Sequence, residues 1–137
     1  MATLQVILDT DTLSAIMRKN SVVIPKAHAY LAAYSRFKIS IITRYEILRG
    51  LKAKDATKQE TTFNRFCAKN LILPLTDEVI VKAAEIYATL HQQGNLIGDA
   101  DILIAASALV HGLGIVTNNE KHFRRITDLQ VENWFRQ

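Results

Sequence analysis

The stretch from Gly98 to Ala108, GDADILIAASA, restricts the fold more than any other part of the chain. Beyond Asp101 the residues Ile102, Leu103, Ile104, Ala105, Ala106, Ala108, Leu109 and Val110 are apolar almost all round a helix. A helix with no polar face belongs in the interior, packed against a sheet. Its two acids, Asp99 and Asp101, then stand at the mouth of a buried element. Local chemistry alone accounts for them, with Asp99 as the N-cap and Asp101 as an acid that complements the positive end of the helix.

The strands that such a helix needs are short apolar runs. Val6-Ile7-Leu8 ends at Asp9, and the polar residues after it lead into a helix carrying Leu13, Ile16 and Met17. Pro25 suits the first turn of a second helix whose inner face draws on Ala27, Tyr30, Leu31, Ala33 and Tyr34. Lys38 to Ile42 reads as the second strand and runs into Thr43-Arg44-Tyr45-Glu46, where Thr and Glu form a capping box for a third helix. Asp55 to Asn70 reads as a solvent-facing helix that turns Phe63, Phe66 and Cys67 inward. Leu71 to Leu75 supplies a third strand, with Pro74 marking an end or an edge. Thr76 starts a helix in which Val79, Ala83, Ile86, Tyr87 and Leu90 keep helical period. Ile115-Val116 is a brief fourth strand, followed by a short helix from Glu120 to Arg125 and a final strand from Leu129 to Glu132.

Apolar strands separated by helices imply an α/β fold: a mostly parallel sheet of four to five strands, flanked by helices on both faces. At 137 residues this is one domain, spanning 1–137. The longest apolar run, Ile102 to Val110, is too short to cross a bilayer, so the expected location is cytoplasmic. Cys67 is the single cysteine, and His28, His91, His111 and His122 are scattered without zinc-ligand spacing.

In parallel sheets the site lies at the carboxyl ends of the strands. Asp9 follows strand one, Glu46 opens the helix after strand two, Asp101 opens the helix before strand four, and Asn119 follows strand four. These side chains are expected to converge. Carboxylates held together repel unless a cation neutralises them, and an all-oxygen donor set suits Mg2+ or Mn2+. Such an ion keeps open positions for phosphate oxygens, and the net charge of +4 suits an anionic partner. Lys121, Arg124 and Arg125 form a basic cluster beside the fourth strand, positioned to meet nucleic-acid phosphates.

Four segments in this order, VILDTDTLS, TRYEILRG, IGDADILIAASALVHGLGIVTNN and a closing VENW, resemble PIN-domain ribonucleases, in particular the VapC-type toxins. The resemblance covers nearly the whole chain. It implies a magnesium-dependent endoribonuclease, usually a homodimer, held inactive by a cognate antitoxin whose C-terminal segment enters the acidic groove. Carried over position by position, it makes Asp9, Glu46 and Asp101 the first three acids, with Asp9 and Asp101 as primary metal ligands and Glu46 completing the shell. Asn119 stands where the family places a fourth acid, which implies a weaker second metal site. Thr10 and Asp11 orient Asp9 or cap the first helix, with Asp99, Thr117 and Asn118 in support. Two rivals carry their own signals. Asp9-Thr10-Asp11-Thr12 also resembles the motif of haloacid-dehalogenase-like phosphatases, in which the first Asp is the nucleophile. The missing fourth acid would suit a PIN module that binds RNA or a partner without cutting.

Overall fold

In the computed structural model, which describes residues 4–136, strands and helices alternate along the chain. The order is β1 (Val6–Leu8), α1 (Thr10–Met17), α2 (Val23–Tyr34), β2 (Lys38–Ser40), α3 (Ile41–Ala53), α4 (Thr57–Lys69), β3 (Leu71–Leu73), α5 (Asp77–Gln92), α6 (Asp99–Val110), β4 (Gly114–Val116), α7 (Glu120–Phe123) and β5 (Val131–Glu132). All strand pairs are parallel, in the order β3-β2-β1-β4-β5. The chain builds outward from β1 to β3 at one edge, then crosses back to lay β4 along the other side of β1. Val6, Ile7 and Leu8 pair there with Gly114, Ile115 and Val116. This reversal between β1 and β4 opens a crevice at their carboxyl ends.

Side chains on a strand alternate between faces, so the central strands feed two separate cores. Ile7 and Ile115 pack with α5 and α6 through Val79, Ile86, Leu90, Ile102 and Ile104. Val6, Leu8 and Val116 pack on the opposite face with Leu13, Tyr30, Phe37, Phe63 and Trp134. Tyr30 also ties α2 to the sheet, because its hydroxyl accepts from the Val6 N–H at 3.1 Å. As expected for an apolar helix, α6 is buried along most of its length. No helix among the described residues is long and apolar enough to cross a membrane.

Several boundaries differ from expectation, each for a local reason. Strand β2 stops at Ser40, whose hydroxyl accepts from the Ile42 N–H at 3.0 Å and makes Ser40 the N-cap of α3. Thr43 therefore lies inside the helix, fully buried, and the Thr43–Glu46 capping box does not form. Helix α6 is capped by Gly98 with no side-chain bond, so Asp99 is an exposed first-turn acid rather than the N-cap. Helix α4 starts at Thr57 because Asp55, at φ 54°, turns the chain through the left-handed region that Asp tolerates. Asp128, at φ 68°, makes a similar turn before β5, which is shorter than expected. Pro74 follows β3, which is an edge strand. Ala33, expected on an inner face, is exposed, as is Tyr87, one of the residues that keep helical period in α5.

One feature of the α6 core is unfavourable. The Ser107 hydroxyl is buried with no hydrogen-bond partner. Ser107→Ala removes that unmet polar group and is expected to raise stability by about 1 kcal/mol, read as a shift in the urea midpoint at unchanged slope.

Candidate active site

Asp9 leaves the end of β1 in an extended conformation and occupies the N-cap of α1, which places its carboxylate at the crevice. Its own N–H donates to the Val116 carbonyl of β4 at 2.9 Å, so the switch point itself positions the residue. One carboxylate oxygen accepts from the Thr10 N–H at 2.8 Å and the other from the Thr117 hydroxyl at 2.7 Å. The side chain is nevertheless buried, and burial together with the charge of Asp11 pushes its pKa up to about 7. Asp101 adds to the repulsion, while the bonds from Thr117 and Thr10 oppose it. An acid held this far above its ordinary range in a crevice is a candidate for a functional role.

Thr117 is the hub of the β4 side. Fully buried, its hydroxyl donates to Asp9, accepts from the Asn119 N–H at 2.9 Å and lies 3.4 Å from Asp11. Asp11 also accepts from the Asn118 N–H at 3.0 Å and from the Thr12 hydroxyl at 3.0 Å. Asp11 thus braces the loop after β4 rather than pointing free into the crevice.

Glu46 arrives from α3. Its Oε1 accepts from the Thr10 hydroxyl at 2.6 Å, and the buried Thr43 hydroxyl lies 3.1 Å from the same Thr10 oxygen. Capping therefore does not explain Glu46. It is held against the residue next to Asp9 and is left with Oε2, 4.0 Å from Arg49. Asp101, in the first turn of α6, has its carboxyl raised by burial, opposed by His122, and raised further by Glu46 and Asp11. Asp9, Asp11, Glu46 and Asp101 thus stand in one electrostatic neighbourhood.

Asn119 sits at the N-cap position of α7 but makes no side-chain cap bond. Its amide nitrogen lies 2.8 Å from Nδ1 of His122, and that same Nδ1 is 3.4 Å from the Asp101 carboxylate. Neither His122 nor Thr43 was legible as a site residue. The only available signal for His122 was its spacing of three from Asn119, one helical turn.

The remaining expected residues lie outside this network. Asp99 is exposed, and the Asn118 side chain accepts from Asn133 at 3.1 Å. Arg124 pairs with Glu120 at 2.8 Å, and Arg125 donates to the carbonyls of Asn95 and Leu96 at 3.2 and 3.1 Å. Of the three basic residues only Lys121 is not held in a side-chain contact of this kind.

Among the described residues, no three His, Cys, Asp or Glu side chains already close around one ion position. The acids are linked through Thr10, Thr117 and Asn119 instead of touching. That suits a small hard cation, which commonly takes one or two carboxylates and keeps several waters. The donors are oxygens, and the high Asp9 pKa is what a cation at this place would reverse, so the residues fit a divalent ion.

The model of the PIN domain family matches residues 6–129. A relative named ribonuclease VapC1, from Methanocaldococcus jannaschii, is 38% identical over 94 residues, covering 69% of this chain and 67% of the relative. A tRNA(fMet)-specific endonuclease VapC from Salmonella typhimurium is 31% identical over 73% of this chain and 76% of its own. Among solved structures, DNA-bound VapBC from Salmonella typhimurium superposes with a TM-score of 0.85 at 28% identity, covering 96% of this chain and 99% of that one.

Proposed function

The chain belongs to the PIN-domain family, among its VapC ribonucleases, and from that premise we propose that it is a divalent-metal-dependent endoribonuclease, the toxin of a toxin–antitoxin pair. The observation that carries the metal dependence is the buried Asp9 carboxyl, raised to about 7 beside Asp11 and Asp101. Asp9 and Asp101 would hold Mg2+ or Mn2+, with Glu46 beside them. The ion would supply charge neutralisation at a phosphodiester and a more acidic bound water.

The chain's own residues do the rest. Thr10, which Thr43 braces, fixes Glu46 by one oxygen, which leaves the other to accept a proton from an attacking water. Thr117 fixes Asp9 and, through the Asn119 N–H, the loop after β4. Lys121 is free to meet a phosphate, whereas the intrachain bonds of Arg124 and Arg125 give them a structural share of the basic cluster. Exposed Ile41 and Tyr45 on α3, with Ile80, Val81 and Tyr87 on α5, support a homodimer. The antitoxin partner follows from kinship to VapBC pairs, and a cytoplasmic location accords with an RNA substrate.

The phosphatase reading needs Asp11 free as a proton donor near Asp9. Here Asp11 accepts from Thr12 and from the Asn118 N–H, and Thr117 stands between the two acids. A non-cleaving module would not need Asp9 held at such an electrostatic cost.

The test is cleavage of a tRNA pool, the substrate class of one relative. Cleavage is expected with Mg2+ or Mn2+, none with chelator, and a loss of more than about 100-fold in Asp101→Asn, beyond what loss of an outer-shell partner gives. Equal cleavage in chelator, or full activity of Asp101→Asn, overturns the reading.

A further inference from the structure

We propose that Asn133, in the closing VENW segment, is a positioning residue for RNA cleavage, holding the loop after β4 against Asp9 and acting through Asn118. This rests on the nuclease reading above and extends the site to the C-terminal segment. The side chain of Asn133 is used in full. Its Oδ1 accepts from the Phe135 N–H at 2.8 Å, which fixes the orientation of the amide and turns both of its hydrogens toward the loop. One is donated to Asn118 Oδ1 at 3.1 Å and the other to Glu120 Oε2 at 2.8 Å. Asn119 lies between those two residues, so the fork grips the loop on either side of it. Asn118 in turn donates its N–H to Asp11 at 3.0 Å, and the Asn119 N–H donates to the Thr117 hydroxyl that holds Asp9. A shift of this loop is therefore a shift of the groups that set Asp9 in place.

The fork is firmly mounted at both ends. On the near side, the Thr117 N–H donates to the Glu132 carbonyl at 2.9 Å, and Trp134 is buried against Tyr30 with ring centroids 5.7 Å apart. On the far side, Glu120 is paired with Arg124 at 2.8 Å and Arg136 at 2.6 Å, which makes it an anchor for the fork rather than a free carboxylate of the site. A turn at Phe135 alone would be served equally by Asp, whose oxygen accepts the same N–H. Asp cannot donate, however, and at position 133 it would set a carboxylate against that of Glu120. The amide is needed for the loop, not for the turn.

The experiment compares the full chain as wild type, Asn133→Ala and Asn133→Asp, in cleavage of a tRNA pool and in amide hydrogen exchange. In Asn133→Ala, kcat is expected to fall about tenfold, and in Asn133→Asp at least as far. The apparent KM is expected to stay within about twofold in both, because Lys121 remains on α7, which Phe123 anchors in the core. Exchange at the Asn118 and Asn119 amides is expected to quicken about tenfold, while the amides of β1 keep their wild-type rates. Wild-type kcat in Asn133→Asp would leave Asn133 with the turn alone and overturn the proposal. Unchanged exchange at Asn118 and Asn119 overturns it too, as does equal quickening in β1, which would mark a general loss of stability. In each of these cases the nuclease reading stands. If wild type cuts no RNA, the nuclease reading and the catalytic role of Asn133 both fall, and exchange reports only its hold on the loop.

Discussion

Asp9→Asn is expected to lower RNA cleavage by more than about 100-fold and, in metal-free buffer near pH 8, to make the protein more stable. The two effects have one cause. With its pKa raised to about 7 from an ordinary value of 3.8, the Asp9 carboxyl holds its proton more tightly in the folded chain than in the unfolded one. Both states are protonated below the unfolded pKa, and nothing is lost there. As pH rises from the unfolded value through the folded one, the unfolded chain releases its proton first, so stability falls with pH across that window. Above it, the penalty is on the order of 4 kcal/mol. Asn carries no charge and escapes the penalty. Melting curves of the two proteins should therefore nearly coincide near pH 4 and separate by roughly ten degrees or more near pH 8, the mutant melting higher. Added Mg2+ or Mn2+ should raise the melting temperature of wild type and leave the mutant almost unmoved. A mutant less stable than wild type at both pH values would show that the hydrogen bonds from Thr10 and Thr117, not the charge, dominate at this position.

Phe123→Ala and Phe63→Ala are expected to cost the same stability and to differ in activity. Both side chains are fully buried, Phe123 with the α5 and α6 core and Phe63 with the core on the other face. Truncation of a buried Phe costs about 3–5 kcal/mol, a large share of what a domain of this size has. Phe123, however, is the anchor of a helix of four residues, Glu120–Phe123, that carries His122 and follows Asn119. Its loss should free that helix and lower cleavage even among molecules that remain folded. Phe63 lies on α4, away from the acids, so cleavage per folded molecule should be retained. Denaturant unfolding gives the stability of each, and cleavage at a temperature where both are mostly folded gives the activity. Equal activity in the two variants would mean that α7 holds its place without Phe123.

Much of this molecule was legible because the signals are local. Runs apolar on both faces, as in Val6-Ile7-Leu8, must be strands covered on both sides. An α6 with no polar face must be interior. Pro74 lacks a ladder donor and marks an edge, and Thr76 caps α5 by accepting from the Val79 N–H at 3.2 Å. From strands alternating with helices came the parallel sheet, and from the sheet the end at which Asp9, Glu46, Asp101 and Asn119 gather. Where two local readings competed, pattern could not choose. Ser40 and Thr43 both satisfy the chemistry of an N-cap before Glu46, and Gly98 and Asp99 both suit the start of α6.

Tertiary structure decided those cases, and it decided the roles of the side chains. Glu46 is defined by Thr10, 36 positions away, and Asp9 by Thr117, 108 positions away. Arg125 was drawn out of the basic cluster by carbonyls of the loop before α6, and His122 was drawn into the acidic one by Asp101, 21 positions earlier. Periodicity and capping report on neighbours within a turn or two, which suffices to say which elements form and where their ends lie. A hydrogen bond between side chains of different elements depends on the packing of every element between them. For that reason the end of the sheet that carries the acids can be read from local pattern, while the partner of each acid depends on how the sheet is packed.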